Sequence, residues 1–261
     1  MFLSTCFYKP MSNHEQRFNG IAALLGTEAF SVIKDSHFMI IGLGGVGTWC
    51  VESIARLGVN KITLVDLDDI CVSNTNRQLH AHDGNYGKMK ADALKERIAT
   101  INPDCEVVCH YCFFNEKNME KIFAESPSII IDTIDAPREK AILINECYKR
   151  EVKIVSSGAI GGKVDPTMIT VAELSKTKQD MLYRKVRQEL KKKHLYPLGR
   201  SKAKVQCVYS PEPSKKIKKC ELDNTSAALK LDCDGGLGTA TYMTGTVGFL
   251  LSHIAVKELL K

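Results

Sequence analysis

His37-Phe38-Met39-Ile40-Ile41-Gly42-Leu43-Gly44-Gly45-Val46-Gly47 passes from a short apolar strand into a glycine-rich turn, with helix-forming sequence behind it. The glycines fit G-x-G-x-x-G between a strand and a helix. Gly42 permits the tight turn, Gly44 lets the backbone approach a phosphate, and Gly47 allows close helix–sheet packing. The helix over residues 44–57 then offers unpaired N–H groups and the positive end of its dipole to an anion. The next strand, residues 61–65, leads to Asp66, about 20 residues on, where a carboxylate accepts from a ribose hydroxyl. Strand, turn, helix and carboxylate together predict a nucleotide site in a Rossmann-like fold.

The flanking sequence agrees. Residues 14–34 read as an amphipathic helix pair broken near Gly26, with Phe18, Ile21, Leu24, Leu25, Phe30 and Ile33 at helical spacing. Helices are expected over 86–101 and 138–150, and strands over 106–110, 128–131 and 153–156. This alternation predicts an α/β fold with a mostly parallel sheet and helices on both faces. Past Gly158 the pattern weakens. It gives a strand over 168–171, a charged helix over 179–193, an exposed loop over 210–219 and an apolar C-terminal helix over 245–260. No linker interrupts the chain, so one domain is expected over 14–261. Residues 1–13 read as an N-terminal extension, with Met11 the expected natural start.

The chain has 261 residues, 44% of them hydrophobic, and a net charge of +6, an ordinary balance for a folded protein. No apolar run approaches the roughly 20 residues a membrane helix needs. The ten cysteines are too sparse for a short disulfide scaffold. Reduced thiols in a cytoplasmic protein are the expectation. Charge is unevenly placed. Residues 176–219 hold fifteen Lys and Arg against three acids (Asp180, Glu189, Glu212), a local charge of +12 that leaves −6 elsewhere. This block fits either a polyanion partner or a solvated insertion.

The glycines do not name the nucleotide, and NAD is the default reading. The polar residues beyond the turn point elsewhere. Asp66 and Asp68 are followed by Asn74-Thr75-Asn76-Arg77-Gln78, by Lys88 and Lys90 at a helix start, and by Asp132-Thr133-Ile134-Asp135 after an apolar strand. Open parallel sheets bind ligands beyond their strand C-termini, where these groups can converge. Arg77 and Lys90 would neutralise a triphosphate, and Asp135 would hold Mg²⁺ against it. That set suits ATP and exceeds what a dinucleotide needs. Asp132 reads as a strand-end carboxylate capping the following helix.

The combination G-x-G-G-x-G, D-x-D-x-x-x-x-S-N-x-x-R-Q, a downstream K-A and a strand ending in D-x-x-D resembles the ubiquitin-activating-like (ThiF-like) adenylating enzymes. Within that superfamily the chain most resembles the tRNA threonylcarbamoyladenosine dehydratases. The stretches that carry this are 17–20, 68–78, 158–166 (GAIGGKVDP), 207–210 and 232–238. The resemblance implies a reaction on tRNA bearing N6-threonylcarbamoyladenosine. ATP adenylates the threonyl carboxylate, the tethered carbamoyl group attacks the activated carbonyl, and AMP leaves. It implies further that Gly42, Gly44, Gly45 and Gly47 cradle ATP and that Asp66 binds the ribose. Asp68 and Gln78 then belong to the ATP site, Asn74, Arg77 and Lys90 contact phosphates, and Asp135 places Mg²⁺. Arg17 reaches the site of the other subunit in a homodimer, and residues 176–219 contact the tRNA. A sulfur-relay or cysteine-desulfurase partner is a further implication.

Relatives that activate sulfur-carrier proteins hold zinc with two C-x-x-C pairs. This chain has one, Cys109–Cys112, at a strand end. Cys207 and Cys233 match positions typical of the dehydratases, and packing is the simpler role for both. His80 and His82 follow Arg77 closely and either line the pocket or pack. The competing readings are an adenylating enzyme for a ubiquitin-like sulfur carrier, an NAD-dependent oxidoreductase and a non-catalytic RNA-binding protein.

Overall fold

The computed structural model describes residues 12–215 and 237–261. Seven strands form one sheet: β1 His37–Ile41, β2 Lys61–Val65, β3 Glu106–His110, β4 Ile129–Asp132, β5 Lys153–Ser157, β6 Thr170–Glu173 and β7 Gln206–Tyr209. Their order is β3-β2-β1-β4-β5-β7-β6. Every pairing is parallel except β6 with β7. The order reverses between β1 and β4, the crevice where ligands bind in open α/β sheets.

The two faces follow from strand alternation. Phe38 and Ile40 of β1, Ile62 and Leu64 of β2 and Ile131 of β4 face one buried layer. That layer holds α3 (Gly45–Ala55), α4 (Lys90–Ile101) and the C-terminal α8 (Thr241–Leu259). Met39, Ile41, Val65 and Ile130 face the other, against α5 (Met119–Phe123), α6 (Pro137–Lys149) and α7 (Met181–Lys193). Burial on both faces explains the unbroken apolar runs 38–41 in β1 and 129–131 in β4. At the N-terminus, α1 (Asn13–Leu25) and α2 (Thr27–Asp35) meet at Gly26, with φ +89°. Ser12 and Glu15 close a capping box on α1.

Several elements depart from the sequence expectation. The helix expected from residue 86 begins at Lys90. Gly87 has φ +82° and Met89 bridges to Asp69, so extended pairing holds residues 86–89 out of the helix. The strand expected over 168–171 lies at Thr170–Glu173, after a single 3-10 turn begun by Pro166. β7, not expected, enters the sheet from inside the basic block. The loop expected to be exposed over 210–219 starts buried: Ser210 and Glu212 are covered, because Ser210 follows β7 directly. Residues 216–219 lie outside the described residues, as do 1–11 of the N-terminal extension.

Candidate active site

The glycine turn spans the β1–α3 connection and is built by backbone packing. Gly42 has φ +93°, and a Cβ there would lie 2.9 Å from the Thr133 carbonyl oxygen. A Cβ on Gly47 would lie 1.9 Å from the Gly42 carbonyl oxygen, so α3 sits where only glycine fits. Gly44 is different, with no atom of the described residues within 4 Å of its would-be Cβ. The backbone there faces open space. Gly44 is also the N-cap of α3 and supplies no side-chain cap. The helix therefore presents its first N–H groups and dipole end to that space. Gly45 lies under Arg77 and Thr244, whose Cγ2 would be 2.9 Å from a Cβ.

Asp66 follows β2 and ties the turn together. Its Oδ2 accepts from the Leu43 N–H at 2.6 Å and its Oδ1 from the Asp68 N–H at 2.8 Å. A carboxylate has about four lone-pair sites, so it retains capacity for a ribose hydroxyl. Lys90, buried at the start of α4, donates to Asp68 Oδ2 at 2.7 Å. The acid offsets a cation placed at the positive end of a helix. Lys88 turns away and pairs with Glu96 at 3.0 Å.

Arg77 is buried over the turn. Its Nη1 donates to the Ser73 carbonyl at 2.8 Å and to Asn76 Oδ1 at 2.9 Å. Its own carbonyl accepts from Trp49 Nε1 and Thr244 Oγ1. Asn76 donates to the Thr239 carbonyl at 2.9 Å and accepts from Thr241 Oγ1 at 2.6 Å. The Asn74–Gln78 segment is thus gripped by α3 and by the first turn of α8. Sequence reading missed Trp49, Thr241 and Thr244, because nothing local marks a partner 28 residues away on α3 or more than 160 away on α8. Asn74 is buried, and its Oδ1 accepts from the Cys71 N–H of its own 3-10 turn at 3.1 Å. Gln78 and His80 are buried, and Gln78 Oε1 and both ring nitrogens of His80 have no hydrogen-bond partner among the described residues. Burial, then the charge of Lys90, pushes the His80 pKa down to about 3, so its ring is neutral.

Asp132 corrects the sequence expectation. It is fully buried and does not cap the next helix, whose N-cap is Ala136. Its Oδ2 accepts from Lys140 Nζ at 2.7 Å and from Ser156 Oγ at 2.8 Å. The next residue, Thr133, donates from Oγ1 to the Gly42 carbonyl at 2.5 Å. Asp135 is exposed at the end of this turn. Beyond the C-terminal edge of the sheet, the glycine turn, Asp66, Asp68, Arg77 and Asp135 therefore belong to adjoining loops, with Lys90 at the start of α4. Arg17 does not join them. Its Nη1 donates to the Ile101 carbonyl at 3.0 Å, at the far end of α4 and roughly 16 Å along the helix from Lys90.

Burial pushes the Cys207 thiol up to about 12, so it is protonated in the core. Among the described residues no three His, Cys, Asp or Glu side chains cluster as a metal centre. Cys233 lies outside the described residues, as do 232–236 of its motif. In the basic block, two of the three acids point inward. Asp180 Oδ2 accepts from the Ala159 N–H at 3.0 Å, and Glu212 Oε2 accepts from Val164 and Asp165 at 2.9 and 3.0 Å. The outward face of α7 carries Arg184, Lys185, Lys191, Lys192 and Lys193, all exposed.

Comparison with known proteins matches residues 18–261 to the ThiF family. The chain is 40% identical over 251 residues to a tRNA threonylcarbamoyladenosine dehydratase of Escherichia coli, covering 94% of each chain. A dehydratase of the same description from Bacillus subtilis is 34% identical over 240 residues, covering 91% of this chain and 92% of the relative. The crystal structure of the E. coli dehydratase in complex with ATP superposes with a TM-score of 0.85 at 38% identity, covering 97% of each chain.

Proposed function

The chain belongs to the ThiF family, and from that premise we propose that it is an ATP-dependent dehydratase of N6-threonylcarbamoyladenosine in tRNA. The observation that carries this reading is the near full-length likeness to the dehydratases, combined with a glycine turn flanked by Arg77 and Lys90. A carboxylate is a poor electrophile. Its attack on the α-phosphate of ATP releases pyrophosphate and forms an acyl adenylate. The carbamoyl group of the same nucleoside then adds to the activated carbonyl, losing a proton, and AMP departs. The nucleoside ends one water lighter, and the oxygen it loses leaves in AMP. Because the attacking group is tethered, effective concentration supplies much of the rate.

The residues divide this work. The N–H groups at the start of α3 hold phosphate oxygens, and Gly44 leaves room for them. Asp66 accepts from the ribose. Arg77 stabilises charge growing at the α-phosphate, and Lys90, released from Asp68, neutralises the others. Asn74 and Gln78 complete the polar wall. Asp135 is an exposed carboxylate and Asp68 a half-exposed one, both hard oxygen donors of the kind Mg²⁺ takes. When bound, Mg²⁺ would offset phosphate charge. Arg17 is assigned to the neighbouring protomer's site in a homodimer. The lysines and arginines of α7 are assigned to the tRNA backbone, since the inward turn of Asp180 and Glu212 leaves that face cationic. No helix among the described residues is long and apolar enough to cross a membrane. The seven described cysteines are free thiols, which supports a cytoplasmic location.

Nucleoside mass spectrometry tests the reading. The protein is incubated with Mg-ATP and tRNA bearing the threonylcarbamoyl group. Conversion to a species lighter by one water, with one AMP released per conversion, is expected. Unchanged nucleoside, with pyrophosphate exchange only on addition of a small carrier protein, would replace this function with carrier activation.

A further inference from the structure

Lys140 and Asp132 form an ion pair with no solvent exposure on either side chain. Such a pair is weak evidence for stability, because desolvating two charges offsets much of their attraction and apolar residues can fill the same space. Its distinctive consequence lies in what the other carboxylate oxygen does. Asp132 Oδ1 accepts from the Ile134 N–H at 3.0 Å, closing the turn that runs through Thr133 to Asp135. Within that turn the Thr133 N–H and hydroxyl both donate to the Ile41 carbonyl at 3.0 Å, and the hydroxyl also reaches Gly42. The conformation of the glycine turn and the presentation of Asp135 therefore both depend on how one buried carboxylate is rotated.

Lys140 sets that rotation. From α6 its ammonium donates to Asp132 Oδ2 and, at 3.1 Å, to Ser156 Oγ on β5. Ser156 donates in turn to Asp132 and accepts from the Tyr183 hydroxyl at 3.2 Å. Four elements thus hold one carboxylate: β4, which bears it, and α6, β5 and α7. We infer that Lys140 is a positioning residue for nucleotide binding: it orients Asp132 so that the Thr133–Asp135 turn shapes the phosphate cradle. The inference rests on the assignment of the cradle to ATP. Without the ammonium, Asp132 is free to rotate toward another donor, and the turn loses its anchor.

Calorimetric titration with ATP, with and without Mg²⁺ and without tRNA, tests this. It is run well below the melting temperature of each variant. Wild type binds ATP; a wild type that does not would remove the nucleotide assignment itself, before any variant is compared. In Lys140→Met the ATP Kd rises about tenfold or more, and the gain in affinity on adding Mg²⁺ shrinks. Lys140→Arg, which keeps a charged donor, stays within about threefold of wild type. A Lys140→Met protein with lower thermal stability but wild-type Kd and Mg²⁺ response would overturn the inference and leave the pair structural. If Lys140→Met does not fold, Ser156→Ala is read instead. It removes one bond to Asp132 while keeping the ion pair, and the Kd rises about threefold. An unchanged Kd there would equally overturn it.

Discussion

The indole Nε1 of Trp49 donates to the backbone carbonyl of Arg77 at 3.1 Å. This bond joins the helix that follows the glycine turn to the loop that carries the principal cation. Thr244 Oγ1 reaches the same carbonyl at 3.2 Å from the C-terminal helix. Both lone pairs of that oxygen are engaged, so the Arg77 backbone is fixed from two directions before any ligand arrives.

Thr244→Val removes one of these donors and keeps the shape. The hydrogen bond lost costs about 1 kcal/mol, and some of that is expected as misplacement of the guanidinium. Steady-state kinetics should show kcat about fivefold lower, with a smaller change in KM for ATP. A change in melting temperature with unaltered kcat would mean that the clamp only stabilises.

The two kinds of glycine separate binding from folding. Gly47→Ala drives a methyl into the Gly42 carbonyl, a contact of 1.9 Å with backbone that cannot yield. Loss of several kcal/mol of stability is expected by urea unfolding, on the order of other core overpacking. Gly44→Ala meets nothing among the described residues. It should unfold close to wild type and bind ATP about tenfold more weakly, because its methyl occupies the phosphate approach. Equal ATP affinity in Gly44→Ala would move the phosphates elsewhere.

Arg17 and Arg77 can be tested together. Each single alanine variant should lose most activity, Arg77→Ala by about 10²–10³ in kcat. If Arg17 serves the neighbouring protomer, mixing the two variants under exchange conditions creates mixed dimers with one intact site. Activity should return to about one quarter of wild type at equal mixing, since half the dimers are mixed and one site in two is whole. No recovery in a mixture shown to exchange subunits would assign Arg17 to its own chain, on the α4 carbonyls it already contacts.

His80 gives a pH signature. Its folded pKa is about 3 against 6.5 for a freely solvated imidazole, burial being the main cause and Lys90 the next. The depressed value means that the unfolded chain binds the proton more readily. The stability this contributes is complete above pH 6.5 and is lost as pH falls toward 3. Across that window the loss approaches 1.4 kcal/mol per pH unit, as an order of magnitude. Urea unfolding at several pH values should give a shallower acid slope in His80→Gln than in wild type. Parallel slopes would show that His80 is not held neutral.

The architecture was legible where the sequence repeats its logic. Each buried parallel strand is a short apolar run, each crossover a helix with one apolar side, and the glycine turn sits between the first two. β7 was not, because its four residues lie among lysines and its apolar character shows only once both faces are covered. The start of α4 was misread because a bridge between Asp69 and Met89, twenty residues apart, overrides local helical preference. In the site, residue types and spacing located Asp66, Arg77, Lys90 and Asp135 near one edge of the sheet. They misassigned Asp132, because a lysine eight positions on reads as a solvated helix residue until α6 is docked. Asp180 and Glu212 looked like stray acids in a basic block for the same reason. Their bonds go to backbone N–H groups that no pattern announces.

The grip of α8 on Asn76 and Arg77 also orders events in time. A polypeptide emerging from synthesis presents the glycine turn, Asp66 and the Asn74–Gln78 segment long before residues 239–244 exist. Through that interval the loop that carries Arg77 lacks its C-terminal clasp, although every residue of the nucleotide motif has been made. Competence for the adenylating step is therefore acquired late, when the last helix docks beside α3, and a nascent chain halted short of it would hold the motif without the geometry.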